Sequence, residues 1–260
     1  MKVIRRVTRA LRQRIFGSSE QIGLGNRQIF FLHLPKCGGS SIREALSTVC
    51  PDEKIAALNP HASRRAAEAR EEDMLRYRAL LLPYYMARED VQVLTGHFPW
   101  STEAYEHFGD DWSYVTLLRD PVQRWFSHYF YDRYKSHSDH FKIEDGLDTF
   151  LASDRAREMG NLYARRLTDP THREASDVVK QAKENLDKFD IVGVVEHIEN
   201  FVSRLSDQAE TKVEVSKKNE SPAQERKKNA LKDEKHVGKV REICKKDKMI
   251  YDFAIRKASK

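Results

Sequence analysis

The chain has 260 residues, of which 40% are hydrophobic and 33% charged, and its net charge at pH 7 is +6. This composition is typical of a soluble, globular protein and excludes a spanning helix, because no apolar run approaches the length of about 18 residues that a bilayer crossing needs. The positive charge indicates an anionic partner, but acidic residues are spread among the basic ones, which disfavours nucleic acid. The three cysteines lack CxxC spacing, so neither a disulfide framework nor a metal site is expected.

Residues 1–16 differ from the rest of the chain. Their apolar residues recur at helical spacing, most other positions are Lys or Arg, and no acidic residue precedes Glu20. This pattern fits an interfacial helix on an anionic membrane, and it also fits a basic helix packed on the protein. We divide the chain into a basic amphipathic segment with its linker, 1–25, and a single domain, 26–260. A secretory signal is not evident, so we expect a cytoplasmic protein, with the inner face of the membrane as a second expected location.

Short apolar segments predict buried strands at 28–34, 91–95, 114–118 and 190–195. Helices are predicted at 40–49, 61–82, 121–134, 147–153, 160–167, 175–188, 199–205 and 236–257. This alternation predicts an α/β fold of three αβα layers, with a central, mainly parallel sheet of four to five strands. The highly charged stretch 217–235 is interpreted as a loop or a mobile segment.

The first predicted strand leads into a glycine turn and a helix that begins with two serines. Backbone N–H groups at a helix start have no helical partner, and glycines let an anion approach them closely. Lysine adds a positive charge, although it precedes the glycines, unlike the GxxxxGK pattern of nucleotide triphosphatases. A plain strand-to-helix turn is the alternative. We predict a phosphate or sulfate site, named the loop site, that consists of Lys36, Cys37, Gly38, Gly39, Ser40 and Ser41.

A second motif follows the third predicted strand. Arg119 stands at the carboxyl end of this strand, where ligands of open α/β sheets bind, and Ser127 lies two turns into the next helix. The guanidinium group of Arg119 and the hydroxyl group of Ser127 could together bind a second phosphate. The alternative is that Arg119 forms an ion pair with Asp120. We name Arg119 and Ser127 the Arg119 site.

Together the two motifs resemble the signatures for 3′-phosphoadenosine 5′-phosphosulfate (PAPS) in the sulfotransferase superfamily. The resemblance is strongest to the branch of heparan sulfate 2-O- and 6-O-sulfotransferases and bacterial carbohydrate sulfotransferases. It implies a P-loop-like fold in which the loop site binds the 5′-phosphosulfate and the Arg119 site the 3′-phosphate. Threonine is commoner in that family at the position of Cys37, so we expect the loop to lose a hydroxyl group and gain an oxidisable thiol. Further similar segments are 95–99, 160–167, 189–196, 217–221 and 250–253.

The resemblance also implies an activity, namely sulfuryl transfer from PAPS to a hydroxyl of a carbohydrate-like acceptor, without a metal. His97 matches the family's catalytic base, with His33 as the second candidate, and Lys36 is placed to stabilise the leaving group. A nucleotide kinase or triphosphatase and a non-catalytic basic protein that binds nucleic acid are the alternatives. Candidates for the lining of an acceptor cleft are Trp100, Tyr105, His107, Tyr131 and Arg133. Exposed positions or packing in the core explain the same residues equally well.

Overall fold

The computed structural model describes residues 28–136, 140–170, 176–215 and 223–259. The predicted membrane-binding helix 1–16 and the family-like segment 217–221 lie outside these ranges, so both remain predictions. No helix in the described ranges combines the length and the apolar character that a bilayer crossing requires.

A five-stranded sheet forms the centre of the protein, and all of its paired strands are parallel. The strand order is β2-β3-β1-β4-β5. This confirms the predicted α/β fold with a parallel central sheet. The strands are β1 (Gln28–Leu32), β2 (Ile55–Ala57), β3 (Val93–Gly96), β4 (Trp112–Leu118) and β5 (Ile191–Val194).

Helices follow every strand of the sheet. Those in the first half of the described chain are α1 (Gly39–Val49), α2 (Pro60–Ala69), α3 (Met74–Met86), α4 (Thr102–Phe108), α5 (Pro121–Tyr134) and α6 (Leu147–Leu151). The others are α7 (Asp154–Gly160), α8 (Leu162–Arg166), α9 (Val178–Asp187), α10 (Ile198–Ala209), α11 (Gln224–Ala230), α12 (Glu234–Ile243) and α13 (Lys245–Ala258).

Three of the predicted elements were wrong in their extent. The helix expected at 61–82 is two helices, because the Asp73 carboxylate caps a new start by accepting the N–H groups of Leu75 and Arg76. The helix expected at 236–257 divides at Cys244. The charged stretch that was interpreted as a loop contains α11.

Alternate residues of β1 bury into opposite faces of the sheet. Ile29 and Phe31 pack with α1 and α10, whereas Phe30 and Leu32 pack with α3, α9 and α13. Full burial of a side chain of this size stabilises the fold by about 1.5–3 kcal/mol. A third apolar cluster, built mainly from α5, α6, α7 and α12, lies beside the sheet. The three-layer arrangement therefore has its main core on both sides of β1.

The central position of β1 brings the ends of three strands together. Its C-terminal residue, Leu32, pairs with Gly96 of β3 on one side and with Thr116 of β4 on the other. The segments after these three strands consequently leave the sheet at one edge, which we call the carboxyl edge. In open parallel sheets, ligands bind at this edge, where the strand order changes direction.

Candidate functional site

The loop site occupies the carboxyl edge immediately after β1. Lys36 and Gly38 have left-handed backbone conformations, with φ of 65° and 77°, and Gly38 is the N-cap of α1. Within the described chain, the N–H groups of Gly38, Gly39 and Ser40 donate to no protein group. The loop therefore presents consecutive backbone donors beside a lysine, which is the arrangement that binds an anion.

Gly39 is required by the side chain of His33. A Cβ atom at position 39 would lie 2.0 Å from Cδ2 of the His33 ring. The same ring stacks on Phe31 and lies 4.4 Å from the ring centre of His97. His33 thus packs between β1 and the start of α1, which is a supporting position for the loop.

The ring of His97 is held in one orientation by the backbone. Its Nδ1 lies 2.7 Å from the carbonyl oxygen of His33, and because this oxygen is an acceptor, Nδ1 carries the hydrogen. The Nε2 atom therefore keeps its lone pair. Burial, followed by the positive charge of Arg166, lowers the pKa of His97 to about 4. His97 is neutral at pH 7 and can accept a proton at Nε2.

Two arginines fix the backbone at His97. Arg166 of α8 donates to its carbonyl oxygen at 2.6 Å, and Arg78 of α3 donates to the same atom at 3.3 Å. Together with Arg43 of α1, they surround the imidazole with positive charge. An anion bound at this edge would raise the pKa of His97 by opposing these charges.

The ammonium group of Lys36 lies 3.5 Å from the ring centre of Tyr131, a cation–π contact. Burial lowers the pKa of Lys36 to about 8, Asp132 opposes this shift, and Arg119 and Lys227 add to it. Lys36 therefore stands among further positive charges, a combination that favours the binding of an anion.

Arg119 follows β4 directly and lies near Lys36. Its backbone is fixed by Tyr163, whose hydroxyl group donates to the Arg119 carbonyl at 2.5 Å and accepts its N–H at 3.0 Å. Asp120 does not pair with Arg119 within the described chain; its carboxylate caps α5 by accepting the N–H groups of Val122 and Gln123. The guanidinium group of Arg119 is therefore not neutralised by its neighbour.

Ser127 is buried on α5, one helical turn before Tyr131. Residues at this spacing lie on the same helix face, and Tyr131 contacts Lys36. The structure thus brings the helix face of Ser127 to the loop site. The loop site, Arg119 and His97 all lie at the carboxyl edge, while the role of each in binding or catalysis stays a prediction.

Sequence reasoning missed Lys227. This residue is 9% exposed on α11, and its pKa is lowered by burial and then by the charge of Arg119. The only signal in the sequence was the charge run at 217–235, which does not reveal which lysine turns inward. Lys36, Arg119 and Lys227 consequently form a group of three cations at one site.

The variant Lys227→Met tests whether Lys227 belongs to this cluster of three cations. Removal of the charge should raise the pKa of Lys36 above its value of about 8, because Lys227 is one of the cations that lower it. An NMR titration of the Lys36 side chain measures the shift. The matched control is Lys228→Met, which changes an exposed neighbour on the same helix. An equal shift in both variants would contradict the placement of Lys227.

Two expectations about side chains were wrong. Cys37 is buried, its Sγ lies 3.4 Å from the hydroxyl oxygen of Tyr163, and burial raises its pKa to about 11. It is therefore not an oxidisable thiolate, and its side chain lies beneath the loop. Trp100 is 1% exposed and packs with Tyr105 and Tyr114 in the core, so it cannot stack on an acceptor sugar.

These features define an α/β protein with a loop of free backbone N–H groups, a cation cluster and a neutral histidine at the carboxyl edge of its sheet. In the described ranges, no three His, Cys, Asp or Glu side chains are grouped to hold a metal ion.

No protein-family profile matches the chain, and no curated protein matches it significantly in sequence. Among solved structures, it is similar to the crystal structure of a sulfotransferase from Alicyclobacillus acidocaldarius. The similarity covers 85% of this chain and 96% of the other, with 16% identity and a TM-score of 0.41.

Proposed function

We propose that the protein is a sulfotransferase that moves a sulfuryl group from PAPS to a hydroxyl of a carbohydrate-like acceptor. The observation that carries this proposal is the meeting of the loop site, Arg119 and a neutral His97 at one sheet edge. Each of the three supports a separate requirement of the reaction: an anion site for the donor, a second anion site, and a proton acceptor.

The charge of the site suits a nucleotide with two anionic ends. Lys36 and the free N–H groups after it would bind the 5′-phosphosulfate, and Arg119 and Ser127 would bind the 3′-phosphate. Lys227 adds a third cation that the motifs did not include. Among the described residues, Asp132 is the acid that raises the pKa of Lys36, and it also pairs with Lys135 and Arg155. Net positive charge therefore remains for the ligand.

His97 and Lys36 divide the chemistry between them. Nε2 of His97 takes the proton from the acceptor hydroxyl as the acceptor oxygen attacks sulfur. The bond between sulfur and the oxygen of the 5′-phosphate breaks in line with the new bond, and the electron pair stays on that phosphate. Lys36 stabilises the charge that develops there. Positioning and electrostatics suffice for such a transfer, so no metal is part of the proposal.

The tautomer of His97 supports its assignment as the base. The hydrogen bond from Nδ1 to the carbonyl oxygen of His33 leaves Nε2 as the proton acceptor. A pKa of about 4 is low for a base that operates near neutral pH. The bound nucleotide would correct this, because its negative charges oppose Arg166, Arg78 and Arg43.

Incubation with ³⁵S-labelled PAPS and a panel of polysaccharides, oligosaccharides and lipids tests the proposal. Label should appear in a carbohydrate, and the labelled compound identifies the acceptor class. Absence of transfer to every hydroxyl-bearing compound, together with transfer of phosphate from ATP, would favour the kinase alternative. A thermal-shift comparison of adenosine 3′,5′-bisphosphate (PAP) with ATP and Mg²⁺ gives an independent readout, since only the former carries a 3′-phosphate.

The pH dependence of kcat/KM follows from two shifted groups. His97 must be neutral and Lys36 protonated, so kcat/KM should rise as the pH passes about 4 and fall as it passes about 8. The pH profile of kcat reports the pKa values of the enzyme with its substrates bound. Both limbs of that profile should lie at higher pH, because the bound anion raises the pKa of His97 and that of Lys36. In Lys36→Arg, the kcat/KM that remains should no longer fall above about pH 8, since arginine stays protonated. An alkaline limb that persists in this variant would assign it to another group.

A further inference from the structure

The geometry points to Tyr163 as a positioning residue that links the loop site to the Arg119 site, so that the 5′- and 3′-phosphates of one nucleotide strengthen each other's binding. This inference rests on the proposed function, because it concerns the same nucleotide. Tyr163 itself is fully buried on α8 and would not touch the ligand.

One oxygen atom connects the two sites. The Tyr163 hydroxyl donates its hydrogen to the Arg119 carbonyl and accepts the Arg119 N–H. Since its only hydrogen is used there, a hydrogen bond with Cys37 at 3.4 Å has the thiol as donor, and the Pro35 carbonyl oxygen, 3.6 Å from Sγ, is the second acceptor for the same hydrogen. Burial raises the pKa of Cys37 to about 11 and that of Tyr163 well above 10, so both groups keep their hydrogens at neutral pH.

Each partner of this oxygen controls one of the sites. Cys37 directly precedes Gly38, whose left-handed conformation aims the free N–H groups of the loop site. On the other side, both backbone groups of Arg119 are fixed, which limits the positions of its guanidinium group. A movement of the tyrosine oxygen therefore alters both sites together.

The tyrosine is itself held in place from two other helices. Its backbone N–H donates at 3.0 Å to Asp247 of α13, and Arg124 of α5 lies over its ring at 5.2 Å. Asp247 and Arg124 are both fully buried. This anchoring makes the hydroxyl a rigid link rather than an adaptable one, and coupling between two sites requires such rigidity.

The test measures what each phosphate contributes to affinity. Dissociation constants are measured for PAP, 5′-AMP and 3′-AMP. The gain in affinity from the 3′-phosphate is the ratio of the constants for 5′-AMP and PAP. The gain in affinity from the 5′-phosphate is the ratio of the constants for 3′-AMP and PAP. In Tyr163→Phe, both gains should fall, each by about fivefold or more. The matched control is Tyr114→Phe, which removes a buried hydroxyl that contacts Met86 in the core and should leave both gains unchanged.

The outcomes separate three situations. If only one gain falls in Tyr163→Phe, or neither, the linking role is wrong while the proposed function stands. If the wild-type protein binds PAP no more tightly than 5′-AMP, the two-site function fails and the link with it. Should Tyr163→Phe not fold, Cys37→Ala decides, since it removes the thiol's contacts with the Tyr163 hydroxyl and the Pro35 carbonyl and leaves the tyrosine intact. Coupling between two binding sites acts in both directions, so Cys37→Ala in the loop site should also lower the gain in affinity from the 3′-phosphate, which binds at the Arg119 site. If that gain is unchanged, the proposal is wrong.

Discussion

His97→Ala is expected to lower kcat by about 10²- to 10⁴-fold, the usual contribution of a general base, with PAP affinity nearly unchanged. The side chain supplies the lone pair at Nε2, whereas the contacts from Arg166 and Arg78 are made to the backbone carbonyl and survive the substitution. Turnover with ³⁵S-labelled PAPS measures the first effect, and calorimetric titration with PAP measures the second.

His236→Ala is the matched control for this prediction. His236 pairs with Asp148 and Asp233 on the surface of α12, and none of these residues belongs to the site. Normal turnover in His97→Ala would show that the base has been assigned to the wrong residue, and His33→Ala would then be the next variant. Loss of PAP binding in His97→Ala would instead indicate that the imidazole supports the loop.

Arg119→Ala should weaken PAP binding by about 10- to 150-fold, because a hydrogen bond to a charged group typically contributes about 1.5–3 kcal/mol. The affinity for 5′-AMP should change far less, since this ligand lacks the phosphate that Arg119 would bind. The substitution keeps the backbone groups that bond to Tyr163. Titrations with both nucleotides measure the difference.

Arg165→Ala provides the control for the loss of positive charge. Arg165 lies on α8 and pairs with Glu158 at 2.7 Å. Equal losses for PAP and 5′-AMP in Arg119→Ala would argue against a 3′-phosphate contact and would favour a general electrostatic effect. Arg119→Lys should not restore full affinity, because an ammonium group cannot make two parallel hydrogen bonds to a phosphate.

The strands could be predicted where they are buried on both faces. β1, β4 and β5 are mainly apolar and buried along nearly their whole length, as parallel central strands are. β2 was missed because its three residues, Ile55–Ala57, are too few to show the hydropathy pattern of a strand. The break at Asp73 was missed because helix-forming residues surround a capping residue, and the tertiary structure decides which effect prevails.

The part of the site that follows directly from the ends of the strands could be predicted from the sequence. Residues that follow neighbouring parallel strands must leave the sheet at one edge, which is why Lys36, His97 and Arg119 all lie at the carboxyl edge. Lys227 and the contact between Cys37 and Tyr163 depend on how helices pack against that edge, and no local pattern encodes it. Trp100 was misplaced because an aromatic residue after a strand suits a binding cleft and a core equally well.

The buried ion pair of Arg124 and Asp247, 3.5 Å apart, affects the order in which the carboxyl edge is assembled during synthesis. Asp247 also accepts the N–H groups of Tyr163 and Ala164, so the short helix α8 depends on a residue more than eighty positions later. An unpaired buried charge costs about 3–5 kcal/mol. All the predicted ligand-binding residues are therefore synthesised before Asp247, the residue that anchors α8.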